Sequence, residues 1–135
     1  MENQMYSLTS TWTIQRGKER LAIAALRQLA QQVEQQETDT LVYLVHMPDM
    51  TQPSLPTPSN LAVVFFEVYA DKDAFHAHVN GPLFKGFVAE HGSLFLSKTI
   101  DCGDGKSVTK PFTTVEFLER KAGFIRPEMA AKRKR

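Results

Sequence analysis

"FFEVYADKDAFHAHVNGPLFKGF", Phe65 to Phe87, runs from an apolar strand-like segment through an acidic turn into two short helical segments parted by Asn-Gly-Pro. Asp71 stands where an N-cap is needed, and Asp73 falls in the first turn, where negative charge suits the positive end of the helix dipole. These residues predict a helix running to about Val79. Asn80-Gly81-Pro82 breaks it, and Pro82 is suited to the first position of a second helix. Phe84, Phe87, Val88 and His91 share one face of that helix, and Gly92 is a natural stop.

Upstream, "NLAVVFFEVY" (Asn60 to Tyr69) and "TLVYLVHM" (Thr40 to Met47) are rich in β-branched and aromatic residues on both faces, as in strands inside a sheet. In "YSLTSTWTIQ", Tyr6, Leu8, Trp12 and Ile14 alternate with Ser7, Thr9, Thr11 and Thr13, the period-two pattern of a strand with one polar face; Gly17 ends it. From Lys18 to Glu37 the apolar residues Ala22, Ala25, Leu26, Leu29, Ala30 and Val33 recur every three or four positions, which predicts an amphipathic helix laid on the sheet.

Pro48, Pro53, Pro56 and Pro58 in "PDMTQPSLPTPS" preclude helix or ladder, so residues 48–59 form a surface loop, either a plain insertion or a lid over a pocket. Downstream, "SLFLSKTI" (Ser93 to Ile100) reads as a strand. "TTVEFLE" (Thr113 to Glu119) reads as an additional strand, with a helical reading of "TTVEFLERKAGF" open. The order strand, helix, strand, strand, helices, strand is that of an α+β fold, with helices on one face of an antiparallel sheet.

The chain of 135 residues is 42% hydrophobic, which suits one compact domain over residues 1–127 with a basic flexible tail at 128–135. Sixteen Lys and Arg against 15 Asp and Glu leave no net field, so neither nucleic acid nor membrane is an expected partner. Cys102 is the sole cysteine and cannot form an internal disulfide. The first residues lack a basic start followed by an apolar core, and no run approaches the ~20 apolar residues of a membrane span, so the expected location is cytoplasmic.

"GDGKS" (Gly103 to Ser107) ends like a phosphate-binding loop, but Ile100 stands where the leading glycine belongs and Pro111 keeps "VTKPF" from opening a helix. It reads as a tight turn between strands. His76 and His78 lie two apart on a helix and point roughly 200° from each other, so they cannot share a metal ion. No carboxylate stands at ligand spacing from any histidine, and no metal is expected.

His78 follows Ala74 and Phe75 on one helix face and turns toward the sheet, while His76 looks to water. A lone inward histidine is most simply a core residue bonded to a neighbour. Glu67 shares a strand face with Val63, Phe65 and Tyr69, where a carboxylate is costly unless partnered. A Glu67–His78 pair would satisfy both groups and fix the imidazole's tautomer for proton transfer.

The stretch quoted above resembles the antibiotic biosynthesis monooxygenase family, and the similarity runs from about Tyr6 to Thr99. The resemblance implies a ferredoxin-like fold that pairs as a dimeric α/β barrel, a homodimer whose two sheets meet, with a pocket in each subunit between sheet and helices. It implies a cofactor-independent monooxygenase that uses dioxygen to convert quinol- or polyphenol-like molecules to quinones. The alternatives are a non-catalytic dimer that binds an aromatic or electrophilic metabolite, or an isomerase-like relative.

Glu67 matches the family's strand glutamate, His78 its helix histidine, and Phe84 the aromatic after the proline. Leu83 stands where many members carry a second histidine. The haem-degrading branch pairs its histidine with a Trp near the helix and an Asn in the first strand. Here Trp12 is in the first strand and Asn3 precedes it, so haem degradation is disfavoured.

In this reading His78 is the catalytic base and Glu67 orients it. Trp12, Phe65, Phe66 and Phe84 supply apolar walls for a flat ring, and Tyr43 and Tyr69 are candidates to bond a substrate oxygen. The stretch Val108 to Pro127 lies beyond the minimal family domain and would add an edge strand crossing to the partner subunit.

Overall fold

The structure, a computed structural model, describes residues 5–126, so the expected tail at 128–135 lies outside the described residues. Strand β1 (Tyr6–Thr13) is followed by a turn at Gly17, whose φ of +91° glycine adopts readily. Helix α1 (Glu19–Gln36) follows, then β2 (Thr40–His46), the exposed proline-rich loop and β3 (Ala62–Tyr69). Helices α2 (Lys72–Asn80) and α3 (Pro82–His91) are split at Gly81, as the Asn-Gly-Pro break predicts. Three further strands close the described chain: β4 (Ser97–Gly103), β5 (Lys106–Pro111) and β6 (Thr113–Leu118).

The main sheet is antiparallel, in the order β2-β3-β1-β6. Paired residues share a face, so the register sorts every side chain. Leu8, Ser10 and Trp12 stand opposite Glu67, Phe65 and Val63, and beside Phe117, Val115 and Thr113, on the face that meets the helices. The stripe Ala22, Ala25, Leu26, Leu29 and Val33 of α1 is buried there in one cluster with Trp12, Ile14, Val63, Phe65, Phe87 and Phe95. Burying each large side chain of such a core contributes ~1.5–3 kcal/mol. The fold is the expected α+β arrangement, but the sheet of the single chain is open and does not close into a barrel.

One correction concerns the C-terminal third. Ser93 to Ile100 is not one strand: Gly92–Leu94 is a 3₁₀ turn, Phe95 makes an isolated bridge to Ile14, and regular pairing begins only at Ser97. Phe95 is drawn inward, fully buried with its ring centroid 5.0 Å from that of Trp12, and this kinks the chain before β4. "TTVEFLE" is a strand, as its first reading has it, and β6 pairs with β1 at the sheet edge. The "GDGKS" turn does link two strands, joining β4 and β5 as a separate two-stranded hairpin. Among the described residues no helix is long and apolar enough to cross a membrane.

Candidate active site

Asp71 caps α2 by accepting from the Ala74 backbone N–H at 2.8 Å, which fixes the helix phase. That phase turns His78 onto the sheet, where it is 3% exposed, and leaves His76 at the surface. The His78 ring packs against Phe84, Tyr43 and Tyr69, with centroids 5.3, 5.4 and 5.6 Å away.

The partner of His78 is Glu37, not Glu67. Glu37 lies one residue past the end of α1, its N–H bonded to the Val33 carbonyl, and its Oε1 sits 2.6 Å from His78 Nδ1. The same oxygen accepts from the Thr40 hydroxyl at 3.2 Å. A carboxylate only accepts, so Nδ1 carries the hydrogen and a neutral ring keeps its free lone pair on Nε2. That is the arrangement of an oriented base.

Glu67, 6% exposed, accepts instead from the Tyr69 hydroxyl at 2.5 Å. The period of the strand explains the exchange: residues two apart on β3 share a face, so Tyr69 is already beside the carboxylate. Burial raises the Glu67 pKa, opposed by the Tyr69 bond and the His78 charge and reinforced by the negative charge of Glu37. Burial, with Glu67 next in effect, also raises the pKa of Tyr69 and Tyr43, which stay protonated phenols.

Glu67 and His78 open on a cavity of about 490 Å³ between the sheet and the two short helices. Ser10 and Trp12 of β1 share that wall, Phe75 and Asn80 of α2 and Phe84, Lys85 and Val88 of α3 form a second, and Lys110, Pro111, Thr113 and Val115 complete it from β5 and β6. No residue of loop 48–59 lines the cavity, so the loop is not its lid; the C-terminal strands cover that side.

Of the residues singled out in the sequence, His78, Glu67, Trp12 and Phe84 line the cavity. Phe65, Tyr43 and Tyr69 face the same way but stand behind it: Phe65 is packed against Trp12 at 5.5 Å, and the two tyrosines support His78. Phe66 is a correction. It pairs with Thr9 and Leu44 on the opposite sheet face, because one step along a strand reverses the side chain.

Sequence reasoning missed Glu37, Ser10, Lys85, Lys110, Thr113 and Val115 as site residues. Ser10 was within reach, since it alternates with Leu8 and Trp12 on the face of β1 that carries the core. Nothing local marks Glu37, which meets His78 across 41 positions. Among the described residues no group of three or more His, Cys, Asp or Glu side chains is placed to hold a metal ion.

Sheet order and cavity define an α+β protein of ferredoxin-like topology with a small-molecule pocket between sheet and helices. The chain belongs to the antibiotic biosynthesis monooxygenase family, whose model matches residues 5–90. The match ends within α3, so β4, β5 and β6, two of which wall the cavity, lie beyond it.

Solved structures share the fold. A Caulobacter crescentus protein provisionally assigned as an antibiotic biosynthesis monooxygenase is 20% identical, with a TM-score of 0.66 over 87% of this chain and 91% of that one. A Pseudomonas aeruginosa protein is 18% identical, with a TM-score of 0.65 over 90% of this chain and 99% of its own. Another structure, described as an antibiotic biosynthesis monooxygenase, is 14% identical, with a TM-score of 0.62 over 87% and 98%. At these identities the likeness shows the fold alone. Among curated proteins none matches the chain in sequence.

Proposed function

We propose that the chain is a cofactor-independent monooxygenase that oxidises quinol- or polyphenol-like molecules with dioxygen, as a cytoplasmic homodimer. The observation that carries this reading is His78, buried at the wall of an aromatic-lined cavity with Nδ1 held by Glu37. A protonated phenol is nearly inert toward oxygen, whereas its anion is electron-rich. A neutral imidazole, the side chain that most often serves as a general base, can accept that proton.

Nε2 of His78 removes the phenolic proton, and a hydrogen-bearing ring carbon ortho or para to the oxygen adds dioxygen to give a peroxide. Loss of water with that carbon's hydrogen leaves a second carbonyl, so phenol and dioxygen become quinone and water. Glu67, with its pKa raised by burial, is placed to return a proton to the departing oxygen. Trp12 and Phe84 present flat apolar surfaces to the ring and keep water from the peroxide.

The test is oxygen uptake by chelator-treated protein offered a panel of quinols and polyphenols. Uptake above autoxidation that falls at least about a hundredfold in folded His78→Ala supports the reading. Saturable binding with no uptake across the panel favours a binding protein instead.

A further inference from the structure

Only four residues lining the cavity carry ionisable side chains, and their placement is lopsided: Glu67 and His78 are buried, at 6% and 3% exposure, while Lys85 and Lys110 are exposed. Lys85 comes from α3 and Lys110 from β5, so two different walls each bring one exposed lysine to the same cavity. Neither is used within the fold. The ion pairs among the described residues are His78–Glu37, His91–Glu90 and Lys121–Glu119, and none involves either lysine.

We propose that the ligand of this cavity is an aromatic acid, a fused-ring phenol bearing a carboxylate, and that Lys85 and Lys110 hold the carboxylate at the mouth. This deepens the reading of the cavity as the substrate site. A volume of about 490 Å³ takes a fused-ring molecule with room to spare. A neutral phenol has two ways into such a slot. A carboxylate has one, because the buried inner end penalises a charge taken out of water and the two lysines attract it at the exposed end. The acid group therefore acts as a handle that leaves the phenolic hydroxyl beside His78. The lysine stems line the apolar wall while their charged ends stay in water, so the contribution is that of a screened pair.

The experiment compares two probes in the absence of dioxygen, 6-hydroxy-2-naphthoate and 2-naphthol, which differ by a carboxylate at the end of the ring system away from the hydroxyl. Binding is measured by titration calorimetry. Quenching of Trp12, the chain's single tryptophan and part of the cavity wall, reports that the probe is in the cavity. The wild type is expected to bind the naphthoate about tenfold more tightly than the naphthol, with a preference that shrinks between about 20 mM and about 500 mM salt. The Lys85→Met/Lys110→Met double variant is expected to bind the two probes alike, and Lys85→Arg/Lys110→Arg to retain the preference. An equal preference in the methionine variant, no preference in the wild type, or binding of neither probe overturns the proposal. Without dioxygen neither probe is turned over, so the oxygenase reading stands or falls separately on oxygen uptake.

Discussion

Nδ1 of His78 lies 2.6 Å from Oε1 of Glu37, so the base of α2 is set by the residue that ends α1, 41 positions earlier in the chain. The contact holds one hydrogen on Nδ1 and leaves the lone pair of a neutral ring on Nε2. Tyr43, Tyr69 and Phe84 close the ring's other sides.

Glu37→Gln keeps a hydrogen-bond acceptor but loses the charge and lets the amide present its NH₂ group to the ring, which permits the wrong tautomer. Quinol oxidation is expected to fall in kcat by about ten- to a hundredfold with KM little changed, since Glu37 does not line the cavity. Glu37→Ala, which leaves the buried Nδ1 unpaired, should in addition lose ~1–3 kcal/mol of stability. Steady-state kinetics and urea unfolding separate the two effects.

Glu67 gives stability a pH dependence of definite sign. Its pKa is raised in the folded chain above the ordinary carboxyl value of 4.5, so the native state holds the proton more tightly than the unfolded state. Stability from this group is fully present below the unfolded pKa and is lost as pH rises through the folded one. Glu67→Gln removes that loss. The variant should be the more stable protein at pH 7, by about 1.4 kcal/mol for each pH unit separating the two pKa values. Unfolding measured from pH 4 to pH 8 checks it; a wild type that gains stability across this range relative to the variant would contradict the assignment.

Gly81 sets the distance between the two helices that carry His78 and Phe84. A Cβ built there lies 2.7 Å from the Ala77 carbonyl oxygen, a backbone atom that cannot swing aside. Gly81→Ala should therefore cost ~1–3 kcal/mol and lower Tm by several degrees. Oxidation by the folded fraction should also slow, because α3 must move away from α2. A full-rate, fully stable variant would show that the junction has slack.

The sheet face away from the helices carries Val42, Leu44, Val64, Phe66 and Val68 from neighbouring strands. A homodimer in which two such faces meet buries them. Phe66→Lys places a charge in that contact and is expected to weaken the dimer at least tenfold, at about 1.4 kcal/mol per tenfold. The cavity on the opposite face should keep its ligand affinity. Sedimentation velocity across a concentration series, with titration calorimetry alongside, distinguishes this from a monomer that never paired.

Local chemistry alone determined the element order from β1 to α3. Two-residue alternation in β1, a three- and four-residue stripe in α1, proline density in the loop, and Asp71 with Pro82 at the helix starts each act within a few positions. For the same reason the inward turn of His78 and the buried face of Glu67 were legible, since period and phase decide them. Tertiary structure decided what those groups meet. His78 took Glu37 from the far end of α1, and Tyr69 satisfied Glu67. Phe95 was pulled into the core and broke an expected strand, and β6 filled the edge beside β1 and brought Lys110, Pro111, Thr113 and Val115 around the cavity. Each depends on which distant surfaces pack together, and a hydrogen bond spanning 41 residues leaves no periodic trace in the chain that makes it.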